Sequence, residues 1–162
     1  MPMRRSLPAL LALLLTTPAG AADWAYEGGV TPIAYVDNGT AQFQFACRGG
    51  DLAMGFWVRA PHRQVAEAAA MNIAIRPDPA GDASDLSGAS FAQDIPLIHS
   101  DGTSMIIRGP VAQAWARIAQ RALRTIRLAY VRRQGALEIF DSNEFSARGS
   151  AAAIRHVLDR CG

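Results

Sequence analysis

The sequence predicts an α+β fold. It reads as an antiparallel β-sheet, in one layer or two, with two α-helices, the C-terminal one tied to the sheet by a disulfide. Three observations carry this expectation. Turn dipeptides at Asn38-Gly39, Asp101-Gly102 and Gln134-Gly135 separate short apolar runs, which is the pattern of β-hairpins. Two later segments switch to a helical period. The chain holds two cysteines, Cys47 and Cys161, far apart in sequence.

The first segment is not part of that fold. Met1 to Ala21 has a charged start (Arg4, Arg5), an apolar run from Leu7 to Leu15 and the small-residue exit Ala19-Gly20-Ala21. This is the pattern of a cleavable secretory signal peptide, too short to span a bilayer. Residues 22–162 are then expected as a single globular domain that is exported to the periplasm or beyond. The residue after the cleavage point is Ala22 rather than Cys, so no lipid anchor on a first-residue cysteine is expected. All sixteen basic residues are Arg, with no Lys, in an Ala-rich background, the composition of a GC-rich bacterial coding sequence. Cleavage removes two of them and leaves fourteen against fourteen acidic residues. That balance argues against a nucleic-acid partner.

Within the domain, Trp24 opens the first strand. Ile33 to Val36 and Gln42 to Cys47 flank Asn38-Gly39, and the second run alternates so that Phe43, Phe45 and Cys47 face inward. After Gly49-Gly50, Leu52, Met54, Phe56 and Val58 share one strand face. Trp57 lies on the opposite face, to be packed against a second layer or left exposed for recognition of a glycan or protein. Met71 to Ile75 forms a shorter strand ended by Pro77. Pro77 to Ser90 is rich in Pro, Gly, Asp and Ser and reads as a mobile surface loop. Ile95 to Ile98 and Met105 to Ile107 flank Asp101-Gly102, and Ile126 to Val131 and Ala136 to Phe140 flank Gln134-Gly135.

The first helix opens at Gly109-Pro110, with Pro in its preferred first-turn position. Its expected apolar stripe is Val111, Trp115, Ile118 and Ala122. Ser150 is placed to cap the second helix, whose stripe is Ile154, Val157, Leu158 and Cys161. Cys161 on a buried helix face and Cys47 on a buried strand face point at one core. Export to an oxidising compartment lets them pair.

Charge is segregated along the chain. Asp78, Asp82, Asp85, Asp94 and Asp101 occur with no basic residue between Pro77 and Ile107. Seven arginines from Arg108 to Arg133 occur with no acid between Gly102 and Leu137. Arg117, Arg121 and Arg124 follow steps of four and three and share one helix face, where like charges repel. Pairing with the protein's own acidic segment is the expectation for them. The alternative is a docking face for an anionic partner, since the planar guanidinium suits carboxylate and phosphate. The aspartate spacing does not match a calcium loop, and none of His62, His99 and His156 stands at metal-ligand spacing from another His or a Cys. No metal or cofactor is expected, and no catalytic residues are assigned.

The order of landmarks carries a resemblance. Trp24, a strand ending in Cys47, Gly49-Gly50, an Arg-bearing helix and the ending Phe145-x-x-x-Gly149-x-x-x-Ala153-Ile154 followed by Cys161 are similar to small exported proteobacterial proteins. Among these is the VasI/TagO type associated with type VI secretion. The Pro/Asp-rich stretch from Pro77 to Ser90 departs from that group. The resemblance implies a shared fold, the same disulfide and a secretion-accessory role, and it transfers no catalytic site. The function expected is therefore a non-catalytic, monomeric binding or accessory protein of the bacterial envelope, its partner a periplasmic protein or an anionic envelope component. The alternatives are a small hydrolase using His99 with nearby polar residues, and an inhibitor of another periplasmic protein.

Overall fold

Turn chemistry sets the order in which the strands pair. The structure, a computed structural model, describes residues 22–161, so the expected signal peptide lies outside the described residues. Strands β1 (Ala25–Glu27), β2 (Ile33–Asp37), β3 (Ala41–Arg48) and β4 (Asp51–Val58) follow one another as an up-and-down meander. At Asn38-Gly39 the Asn38 side-chain oxygen accepts the N–H groups of Thr40 and Ala41 at 3.0 and 2.8 Å. Gly39 there takes a φ of +90°, which costs a Cβ-free residue little. Then come β5 (Ala70–Pro77), β6 (Ser90–Ser100), β7 (Gly102–Arg108), β8 (Thr125–Gln134) and β9 (Ala136–Ser146). All pairs are antiparallel, in the spatial order β1-β2-β3-β4-β7-β6-β5-β8-β9. The chain skips from β4 to β5 and returns through β6, so β7 is what completes the β4 edge. At the β6–β7 turn Gly102 is required, because a Cβ there would lie 2.2 Å from the Val58 carbonyl oxygen.

The single sheet curls until its two ends share one core. Phe43 of β3 and Phe145 of β9 have ring centroids 5.8 Å apart, and Phe56 of β4 stands 5.1 Å from Tyr130 of β8. Each fully buried side chain of this kind contributes about 1.5–3 kcal/mol of transfer free energy. Two strands bend sharply to allow the curl. The β5–β6 register shifts beside Asp94, and the β8–β9 register shifts opposite Asp141, and both aspartates adopt positive φ, as bulges do. The seam is closed by side chains: Asn143 Oδ1 accepts from Asn38 Nδ2 at 3.0 Å and from Thr40 Oγ1 at 2.6 Å.

The structure has three helices, not two: α1 (Arg63–Ala66), α2 (Gly109–Arg121) and α3 (Ser150–Leu158). With nine strands the fold is mostly β, and α+β describes it only roughly. The buried face of α2 is also rotated from the expected stripe. Ala112, Trp115, Ala116 and Ala119 are buried, whereas Val111 is 42% exposed. Alanines let the helix axis approach the sheet closely, leaving room for one large residue, Trp115. Ser150 does not cap α3. Gly149 holds the cap position at a φ of +82° with no side-chain cap. The buried Ser150 hydroxyl donates instead to Ala119 O of α2 at 3.0 Å. Ile154 and Val157 are buried as expected, while Leu158 and Cys161 are only partly so. Cys161 nevertheless forms the disulfide with Cys47, with a Cα–Cα distance of 5.6 Å across 114 residues.

The segment between β5 and β6 is pinned down, contrary to the expectation of a mobile surface loop. Ala74, Ala129 and Val131 form an apolar patch on the outer face of the sheet, and Leu86 of the segment packs on it. The Arg127 guanidinium, 5% exposed, donates to the carbonyls of Gly81, Asp82 and Asp85 and to Glu144 Oε2 at 2.9 Å. Arg76 pairs with Asp85 at 3.1 Å. An apolar outer face exposed to water is unfavourable, and this segment is what covers it.

Candidate functional site

The carboxylates Asp78, Asp82 and Asp85 of the acidic segment are satisfied without an ion pair to Arg117, Arg121 or Arg124. Asp85 takes Arg76, and the Asp82 carboxylate accepts from Ser84. Asp78 sits at the exit of α2, where its carboxylate accepts the N–H groups of Leu123, Arg124 and Thr125 at 2.6–3.2 Å. Burial pushes the Asp78 pKa up, but those three donors outweigh it and hold the group below the usual carboxylate range. The complementarity of the two charge blocks is thus met largely by backbone groups. Ion pairs among the described residues join Arg59–Asp37, Arg63–Glu67, Arg76–Asp85, Arg127–Glu144, Arg132–Glu138 and Arg148–Asp23. Among the described residues Arg117, Arg121 and Arg124 make none, which corrects the expected ion pairing with the acidic segment; only the Arg124 charge lies close enough to help hold Asp78 ionised.

What α2 presents to solvent is therefore a basic face. Its outward residues include Pro110, Gln113, Ala114, Arg117 and Arg121, and the helix carries no acid. Arg121 Nε donates back to Arg117 O at 3.1 Å, covering a carbonyl of the last turn that has no helical partner. Ala122 breaks the helix with extended backbone. Leu123 follows and stands 87% exposed between Arg121 and Arg124. The sequence reading missed Leu123, although its position off the apolar stripe was a signal. The adjacent α3 is held against α2 at its N-terminal end by Ser150 and by Gln120 Nε2 donating to Ala151 O at 3.4 Å.

The histidines are engaged elsewhere. His99 Nε2 lies 2.8 Å from Ala68 O, so it carries the proton and donates; Nδ1 lies 2.9 Å from Thr103 Oγ1 and in the neutral ring accepts from it. The hydroxyl that faces Nδ1 belongs to Thr103, which is fully buried. His62 starts α1, its Nδ1 accepting from Gln64 N at 3.2 Å. His156 packs on Tyr26, with ring centroids 5.0 Å apart. No group of three metal-ligating side chains occurs among the described residues.

Trp57 is neither core nor a bare recognition platform. It lies half-buried on the outer face, its indole N–H donating to Asp101 O at 3.0 Å and the Arg59 guanidinium 4.6 Å above its ring. Beside it, open hollows of about 200 and 270 Å³ share Gln44, Gly55 and Ile106. Another hollow, of about 340 Å³, opens at the seam over Thr40, Asp141 and Asn143. Burial raises the Asp141 pKa, partly offset by the His62 N–H that its carboxylate accepts. No helix among the described residues is long and apolar enough to cross a membrane.

Together these features define a curled antiparallel sheet with a disulfide-tied C-terminal helix and a basic helical face. No family model matches the chain, and no curated protein matches it by sequence. The fold is similar to the crystal structure of invasion associated protein B from Bartonella henselae. The likeness has a TM-score of 0.55 and covers 87% of this chain and 95% of that one, at 10% identity. At that identity the likeness extends to the fold alone.

Proposed function

We propose that this protein is a non-catalytic accessory or binding protein of the bacterial envelope. In this reading it docks on an anionic partner through Arg117, Arg121 and Arg124. One observation carries the proposal: Arg117 and Arg121 on the acid-free α2, and Arg124 just past its end, stay exposed and form no ion pair among the described residues, while the nearest carboxylate, Asp78, is turned to the backbone N–H groups of residues 123–125. Like charges held together in this way cost the isolated protein stability, and an anionic surface relieves that cost. The disulfide supports work in an oxidising compartment, in line with an export signal at the N-terminus. The landmark resemblance would make the partner a component of type VI secretion. The fold likeness is instead to a protein described as invasion associated, and both fit an envelope accessory role.

The test is retention of the protein by envelope extracts at low and high salt. The wild type is expected to be retained at low salt and released at high salt, and Arg117→Gln/Arg121→Gln/Arg124→Gln is expected to flow through. Equal retention of the triple variant would refute the docking face.

A further inference from the structure

We infer that the partner of this face is the surface of an anionic lipid bilayer, with Leu123 as the inserted apolar tip and Arg117, Arg121 and Arg124 on the lipid phosphates. The inference rests on the docking reading and narrows it to one partner.

A lone exposed leucine is ordinary on a protein surface; its placement is what matters here. Leu123 is 87% exposed at the point where the chain leaves α2, flanked directly by Arg124 and two residues after Arg121. The tip is held rather than frayed, because Asp78 accepts the N–H groups of residues 123, 124 and 125. A held tip loses little conformational freedom on insertion. The acids that face this region are accounted for. Asp78 keeps its charge at the base of the tip, where it is turned to the backbone and offset by Arg124; Asp82 is turned to Ser84, Asp85 to Ser87 and Arg76, and Asp159 lies at the far end of α3.

The shape also favours a bilayer over a protein. The five most pronounced hollows among the described residues lie on the sheet and at the seam, and none of these five is lined by α2. The basic face is a convex helix surface and an exposed tip. A protein partner needs shape complementarity to a packed interface core. A fluid, anionic surface accepts a single apolar tip with a ring of cations, as interfacial docking does. Each arginine near such a surface is expected to contribute about fivefold in affinity, and the leucine about tenfold.

The experiment is co-sedimentation of the exported protein with vesicles of phosphatidylglycerol and phosphatidylcholine, against vesicles of phosphatidylcholine alone. Binding is expected to the anionic vesicles only and to weaken with salt. The triple Arg→Gln variant is expected to lose about a hundredfold and Leu123→Ser about tenfold, with melting temperatures unchanged or, for the triple variant, slightly raised. Leu123→Trp keeps an apolar tip and is expected to bind as the wild type does, with blue-shifted emission. No binding of the wild type to anionic vesicles would overturn the inference, as would Leu123→Ser binding undiminished. Arg-dependent capture by a lipid-free envelope protein, without vesicle binding, would overturn the lipid assignment and leave the docking reading standing. Loss of Arg dependence in both assays would end both.

Discussion

Among the arginines, the residue scale separates those that hold the fold from those free to act outside it. Arg127 is buried against three carbonyls and Glu144, whereas Arg124 is exposed and unpaired. Arg127→Met is therefore expected to cost about 3 kcal/mol, because three carbonyls and a carboxylate lose their donor. Limited proteolysis is then expected to cut between Asp78 and Ser90. Arg124→Gln is expected to stay within about 0.5 kcal/mol of the wild type by urea denaturation. Equal losses in the two variants would contradict this division. Asp78 supplies the pH dependence at this scale. Its folded pKa is depressed, so its contribution is present above the unfolded value of about 4 and is lost as pH falls through the folded value. Asp37, Asp82 and Asp85 are shifted the same way, and Asp141 the opposite way, by burial. The comparison of wild type with Asp78→Asn isolates the one group. The variant is expected to lose about 1 kcal/mol at neutral pH and progressively less below pH 4, after discounting for solvent screening.

Element by element, periodicity was readable wherever one face met the core and the other met water. The alternation of β3 and β4 is the burial pattern observed, and each of the three turn dipeptides closes a hairpin. The four residues of α1 are too few to show a period. The first half of β6 was hidden because the bulge at Asp94 breaks its alternation. In α2 the large apolar residues marked the helix, but its orientation was set by alanines, whose small hydrophobicity carries little signal. The disulfide belongs to this scale, tying α3 to β3. Closing a loop of 114 residues is worth about 4–5 kcal/mol in the chain-entropy model and commonly less. Replacing both cysteines by serine is expected to lower the melting temperature by roughly 10 °C, measured by calorimetry under non-reducing conditions. A shift of a degree or two would show that helix packing alone holds α3.

For the whole molecule, stability depends on the seam where the first hairpin meets the last strand. Asn143 accepts from both Asn38 and Thr40 there. Asn143→Ala is expected to cost about 1 kcal/mol, since the seam loses two side-chain hydrogen bonds while Asn38 keeps Glu144 O and Thr40 keeps Asn38 Oδ1. Amide exchange is expected to quicken first in β2 and β9, and uniform quickening across the sheet would argue against a local seam.

The sequence by itself determined the hairpins, the inward faces of β3 and β4, the two longer helices and the pairing of Cys47 with Cys161. All but one of these follow from short-range pattern, which is set by the 2.0- and 3.6-residue periods and by turn chemistry. The disulfide needed only that two sulfurs share one core. Tertiary structure alone decided that β4 pairs with β7, that nine strands curl around one core, and which charges meet. The sequence shows two complementary charge blocks but not that backbone N–H groups and Arg76 reach the aspartates first. Electrostatic pairing depends on distances of a few ångströms between residues far apart in the chain. Those distances exist only once the sheet has closed, and the closed sheet leaves Arg117, Arg121 and Arg124 facing outward.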